Sequence, residues 1–292
     1  MTRDPVPTEI RTAIERLRRE LVHGSSWYFA QGIRILRSCP SKNIAQVLSE
    51  LGKIRPGMAS LENLIEVVAR TRRHRQNIDP VLFRLEEHRR TAQERLLAVL
   101  QGRSFGHVVS LSFSSAVLLL AKAKAAREIT LLRSDPGRES KWALREYVRY
   151  LPVHPVPDSM AAQVLATADT VVMGCDGIYT EGAMVNKTGS LPLVLAARGL
   201  GVPVHVLGES YKIARAVPSL RDTVPSVIDG VRVEVPLLES VPLRYLSSIT
   251  TDAGTFHRPF LRSLDQARAD FLMSVTQPPP GTGPPKRALI SG

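Results

Sequence analysis

Residues 171–213 read VVMGCDGIYTEGAMVNKTGSLPLVLAARGLGVPVHVLGESYKI. An apolar run meets Gly174, Cys175 and Asp176. A glycine-punctuated loop then carries Asn186 and Lys187, an apolar helical segment begins near Leu191, and a second apolar run spans 202–207. That order predicts a strand, a polar crossover and a second, parallel strand. Asp176 falls where the first strand ends, and open parallel sheets bind ligands outside the carboxyl ends of their strands. Chain order therefore places Asp176, Asn186 and Lys187 at a rim suited to a small anionic ligand. A lysine just ahead of a helix N-terminus is a natural phosphate arrangement. Neighbouring strand side chains face opposite ways, so Cys175 is expected in the core while Asp176 faces out.

Upstream of residue 102 the pattern is helical. Apolar residues recur at helical spacing over 9–21, 26–36, 41–51, 61–70 and 81–100. Asp79-Pro80 reads as a helix start, and Gly24, Gly52 and Gly57 mark breaks. Beyond Gly102, short apolar runs at 108–111, 128–132 and 153–156 precede the decisive stretch. They alternate with helical segments at 114–126, 140–150 and 159–166, the last with Asp158 as its cap. Strands alternating with helices imply a parallel sheet with right-handed crossovers. The expected architecture is α/β: an N-terminal helical domain (1–102), then a Rossmann-like domain with a mainly parallel sheet (103–275). A Pro/Gly-rich tail (276–292) has the composition of a disordered segment.

Composition removes several functional classes. No apolar run is long enough to cross a bilayer, and the opening MTRDPVPTEI lacks an apolar signal core, so the cytoplasm is the expected compartment. Cys39 and Cys175, the only cysteines, cannot build a four-thiolate site, and the seven histidines show no ligand spacing; no metal or cofactor is expected. The formal charge of +12 is spread along the chain without any nucleic-acid motif, and aromatic content is only 5%. Nucleic acid is thus a disfavoured partner. Neither GxGxxG nor GxxxxGK[ST] occurs.

Gly174, Asp176, Gly182, Asn186, Lys187, Gly189 and Ser190, followed by Glu209-Ser210-Tyr211-Lys212, form an ordered set. Leu238-Glu239-Ser240-Val241-Pro242 and Thr251-Asp252-Ala253-Gly254 extend it, and Gly24-Ser25 and Ile54-Arg55-Pro56 add weaker upstream matches. This set resembles the family of the alpha, beta and delta subunits of eukaryotic translation initiation factor 2B. The same family holds the ribose-1,5-bisphosphate and methylthioribose-1-phosphate isomerases.

The resemblance implies a phosphorylated sugar or nucleotide ligand and assembly into a homodimer or larger oligomer. It assigns Asp176 the position of a general acid/base, and Gly24, Arg55, Asn186, Lys187 and Lys212 positions that bind substrate. It also places Ser112, within Ser110-Leu111-Ser112-Phe113-Ser114, where the isomerases carry a cysteine. A serine hydroxyl ionises far less readily than a thiol without an adjacent base; His107 is the nearest histidine in sequence. His23 and Asp135 stand where the isomerases have arginine, and Arg133 and Arg138 flank Asp135. These departures favour a non-catalytic, regulatory protein of the initiation-factor type over an aldose-ketose isomerase, with Asp176 and Ser112 as the catalytic pair in the latter.

Overall fold

The helical periodicity of the first hundred residues resolves into α1 (Thr8–Arg19), α2 (Ser25–Arg37), α3 (Ile44–Leu51), α4 (Ala59–Arg73) and α5 (Asp79–Leu100). The structure, a computed structural model, describes residues 5–134 and 139–277. Asp135 and Arg138, and the tail from residue 278, lie outside the described residues.

Alternation follows: β1 (His107–Leu111), α6 (Ser115–Lys122), β2 (Glu128–Leu132), α7 (Ser140–Tyr147), β3 (Val153–Val156), α8 (Ala161–Leu165) and β4 (Thr170–Met173). Then come β5 (Gly177–Tyr179), β6 (Ala183–Lys187), α9 (Ser190–Gly199), β7 (Val204–Leu207) and β8 (Ile213–Ala214). The chain continues through β9 (Thr223–Ile228), β10 (Val231–Pro236), β11 (Leu238–Pro242), β12 (Ser248–Thr251), β13 (Gly254–His257) and α10 (Leu261–Thr276).

The central sheet has the order β13-β12-β7-β4-β1-β2-β3, and every neighbouring pair is parallel except β12 with β13. The α/β class with a mainly parallel sheet is therefore as expected. Strands β1 to β3 run outward on one side of β1, whereas β4 returns to the other. The carboxyl ends of β1 and β4 thus flank a topological switch point, where open sheets leave a crevice.

Alternating strand residues feed two cores. Val109, Val171, Met173 and Val206 pack with Leu193, Val194 and Leu264 on one face. Val108, Val172 and Leu207 pack with Val117, Leu120 and Tyr147 on the other. The first half of α5 packs with the N-terminal helices through Leu82 and Leu85, and its end reaches the sheet through Leu96 and Leu100.

Two local expectations need correction. The glycine loop after β4 is a β-hairpin: β5 and β6 pair antiparallel, with Gly177 opposite Val185, and join β8 and β11 in a second sheet. Its partner β11 lies fifty residues downstream, so local sequence offers little sign of it. Asp158 does not cap the following helix; its carboxylate accepts the Ser134 amide at 2.8 Å, pinning the chain beyond β2.

At the switch point the β1–α6 connection is held from below. Fully buried Tyr147 accepts the Ser114 N–H through its hydroxyl (2.7 Å) and donates to the Ser114 carbonyl (3.0 Å). Ser114 in turn caps α6 by accepting from the Ala116 amide at 3.2 Å. Gly174 permits this approach, because a Cβ there would lie 2.0 Å from Ser114 Oγ. Tyr147→Phe should cost about 1–3 kcal/mol, the penalty of a buried unpaired amide, measured as a lower urea midpoint with unchanged slope.

Candidate functional site

A cavity of about 410 Å³ opens between the carboxyl ends of the central strands and the start of α2. Its floor is polar. Asp176, three residues past the end of β4, accepts the Ser25 amide of α2 on Oδ1 at 3.1 Å. The Asp176 carbonyl accepts both Ser25 Oγ and the Ala59 amide at the start of α4, each at 3.0 Å. The residue thus joins the sheet to two helices at once. Gly24 fits the same contact: a Cβ there would sit 3.8 Å from Asp176 Oδ1. Depth in the protein raises the Asp176 pKa, against the pull of Lys212, the Ser25 amide and Lys187.

Both lysines named by the sequence reach the cavity, and both are already paired. Lys187 sits 2.6 Å from Glu139, with both side chains buried. Lys212 sits 2.9 Å from Glu209, whose side chain is wholly buried. Burial opposes ionisation of Lys212, but Glu209 together with the neighbouring Cys175 and Asp176 outweighs it and raises the lysine pKa. Burial likewise pushes Glu209 up, and Lys212 with the Tyr211 hydroxyl and a backbone amide more than reverses the effect, lowering its pKa. Glu139 remains raised, because burial there exceeds the help from Lys187. The expected cationic cradle is therefore a pair of buried, internally neutralised ion pairs.

The expected phosphate site at a helix N-terminus also changes on inspection. Asn186 and Lys187 lie in β6, ahead of α9. The first amides of α9 are taken: Glu239 of β11 accepts Gly189 N–H at 2.6 Å and Leu191 N–H at 2.9 Å. A carboxylate at that position satisfies the helix dipole and leaves it no attraction for a second anion. Asn186 donates to Ser190 Oγ at 2.9 Å, which fixes its side chain against the cavity wall.

Ser112 lines the cavity at the end of β1 with φ +58, a left-handed backbone rare for a non-glycine residue. Such strain clusters at ligand sites, where the surrounding fold overrides local preference. His107 is at the opposite end of β1, held by Thr130 Oγ1 at 2.8 Å, and cannot serve as its base. Cys175 borders the cavity but packs into the core, its Sγ 3.7 Å from the Leu207 carbonyl. Burial pushes its thiol up to about 12.

Arg55 does not line the cavity with the other predicted residues. Its guanidinium donates to the Arg18 and Glu20 carbonyls at 3.3 and 2.7 Å and lies 3.4 Å from an Asp222 oxygen. With φ +48 and its side chain buried, it braces the turn between α1 and α2. The structure thus gathers Gly24, Ser112, Asp176, Asn186, Lys187 and Lys212, and sets Arg55 behind them.

Sequence reading missed Glu139 and the aromatic wall. Trp27 and Trp142, the two tryptophans of the chain, both line the cavity. His23 stacks on Trp27 at 4.5 Å, and Phe113 stacks on Trp142 at 4.0 Å. The convergence of two rare aromatics from distant segments was the available signal, but nothing local links residues 27 and 142. Arg34 and Arg89 also line the cavity.

A model of the Initiation factor 2 subunit family matches residues 7–257. The chain belongs to that family. It is 25% identical over 271 residues to a Pyrococcus horikoshii protein named as translation initiation factor eIF-2B subunit 2-like, covering 85% of this chain and 96% of that one. It is 31% identical over 128 residues to ribose 1,5-bisphosphate isomerase of Haloterrigena turkmenica, covering 36% and 39%. The crystal structure of the Pyrococcus horikoshii OT3 translation initiation factor eIF-2B shares the fold, with a TM-score of 0.76 at 23% identity over 88% of this chain and 99% of that one. The family thus includes relatives with translation-factor names and relatives with isomerase names, and this member resembles both.

The raised pKa of Asp176 sets a test of the site. A carboxyl whose folded pKa exceeds its ordinary value of 3.8 binds protons more tightly when folded. Its destabilising contribution is absent below that value and complete once pH exceeds the folded pKa. Asp176→Asn keeps an acceptor for the Ser25 amide and removes the charge. It should raise Tm at pH 7, with the gain vanishing below pH 3.8 in a pH series of thermal melts.

Proposed function

We propose that this family member binds a phosphorylated sugar or nucleotide metabolite as a regulatory, non-catalytic protein of the initiation-factor 2B type. The observation that carries the reading is the chemistry beside Asp176. Moving a proton between adjacent sugar carbons needs two groups that exchange it readily. Here the isomerase thiol position is Ser112, its nearest sequence histidine faces away, and the one neighbouring thiol, Cys175, is core-packed and raised to about 12. Asp176 is left without a matched partner, and losing an acid/base partner costs about 10²–10⁴-fold. The cavity nonetheless keeps a hydrogen-bonding floor and strained rim, which supports ligand recognition. Assembly into a homodimer or larger oligomer belongs to the same proposal.

The aldose-ketose isomerase alternative draws on one observation: Asp176 faces the cavity with its pKa raised, as a general acid/base requires. Incubation with ribose 1,5-bisphosphate and methylthioribose 1-phosphate separates the two. Regulatory binding predicts a higher Tm, about 2.7 kcal/mol of stabilisation at a hundredfold excess over Kd, and no ketose by NMR. Ser112→Cys should then gain turnover if only the proton partner was lost. Ketose formed by the wild type and abolished by Asp176→Asn would replace the regulatory reading with the enzymatic one.

A further inference from the structure

Helices α2 and α4 run side by side in the same direction. Near their starts, Ser25 Oγ lies 2.6 Å from Ser60 Oγ. Midway, Gly32 of α2 faces Leu64 of α4, so closely that a Cβ there would sit 2.6 Å from the leucine side chain. Just past the end of α2, burial raises the Cys39 pKa and the Arg72 guanidinium of α4 opposes it, so these residues are neighbours too. The pairs 25–60, 32–64 and 39–72 advance together, and both helices therefore end at one edge of the helical layer. There α4 closes in Arg70-Thr71-Arg72-Arg73-His74-Arg75. There also α2 ends in Arg37, whose Nη2 donates to the Leu82 carbonyl of α5 at 3.4 Å. Arg37, Arg70, Arg73 and Arg75 are exposed, and Arg72 is half-buried.

On α5, Arg89 and Arg90 are neutralised by Glu86 and Glu87. Arg70, Arg72, Arg73 and Arg75 pair with no carboxylate among the described residues. Arg37 acts on Glu86, which Arg89 already holds at 2.6 Å. Helix ends account for part of this charge, since each C-terminus carries about half a negative charge. Asp79 at the start of α5 adds one carboxylate. Five guanidinium groups exceed both together. Arg75 adds a second sign. It holds the left-handed turn that ends α4, with φ +56 and the Gln76 amide reaching the Thr71 carbonyl at 3.2 Å. Glycine fills such a position at least cost, so an exposed arginine there is kept against local preference.

We propose that this edge docks the phosphate backbone of a nucleic-acid duplex, without reading its bases. All five charges are arginines, whose planar forks match phosphate oxygens two at a time. Segments 34–42 and 70–77 contain no Phe, Tyr or Trp, so they offer no platform on which single-stranded bases could stack. Residues 70–77 expose no large apolar side chain that could enter a bilayer. None of the five arginines lines the cavity, so the surface is independent of whatever the cavity binds. Along the sequence the net charge of +12 is dispersed. The parallel packing of α2 and α4 is what gathers part of it onto one surface.

Fluorescence anisotropy of the full chain with labelled RNA and DNA duplexes of about 20 base pairs, over a salt series, tests the surface. Both duplexes should bind regardless of sequence, with a Kd of about 10⁻⁶–10⁻⁴ M near physiological salt. Log affinity should fall with log salt at a slope of about −3 to −4. Arg70→Gln, Arg73→Gln and Arg75→Gln together should weaken binding about tenfold or more and flatten the slope by about 2 to 3. The combination Arg145→Gln, Arg258→Gln and Arg262→Gln removes the same charge from exposed positions elsewhere, and should keep affinity within about threefold of the wild type. Equal losses in the two variants would show attraction to overall charge and overturn the proposal. So would wild-type affinity in the first variant, or no binding of either duplex. Capture of phosphatidylserine vesicles by the wild type but not the first variant, without duplex binding, would assign the surface to a membrane and likewise overturn it.

Discussion

Asp176 holds the molecule together at the point where its layers meet. Its amide donates to Val185 in the hairpin, its carbonyl accepts from α2 and α4, and its carboxylate accepts the first amide of α2. One residue thereby registers the central sheet, the second sheet and the helical layer. The carboxylate is placed at the positive end of a helix, where it is favoured, and deep in protein, where it is not. Burial prevails over the helix and the two lysines, so its pKa is displaced upward.

The same constraint explains the buried charges nearby. A floor carrying Asp176 alone would be strongly acidic. Lys187 and Lys212 balance it, and Glu139 and Glu209 balance them, so that no ammonium is left bare in a dry setting. Further ties stabilise the arrangement: Asp252 of the β12–β13 turn accepts the Ser210 amide at 2.6 Å, fixing the segment that carries Glu209 and Lys212. Buried pairs of this kind add little net stability, but each member becomes costly to remove. Both lysines beside Asp176 are thus engaged by carboxylates of the protein itself.

Much of this was legible in the chain. The strands at 128–132 and 170–173 fall where apolar runs predict them, because buried parallel strands need continuous apolar residues, and 153–156 forms the exposed edge strand beside them. Asp176 was placed at the rim from its position after such a run. The hairpin of β5 and β6 was not legible, since its strands are short and are completed by β11 far downstream. Arg55 matched a motif yet serves backbone carbonyls, because a motif records residue type and not the direction of a side chain.

The amino-acid order by itself determined the layers and the strand ends that face the ligand, because hydrophobic periodicity and turn residues act over a few neighbours. Tertiary structure alone decided the charge of the pocket. Glu139 against Lys187, Glu239 on the α9 amides and His23 against Trp142 are contacts between distant segments. Whether a lysine is free to hold an anion depends on such contacts, since Coulomb energy is set by distance and burial, neither of which a linear sequence contains.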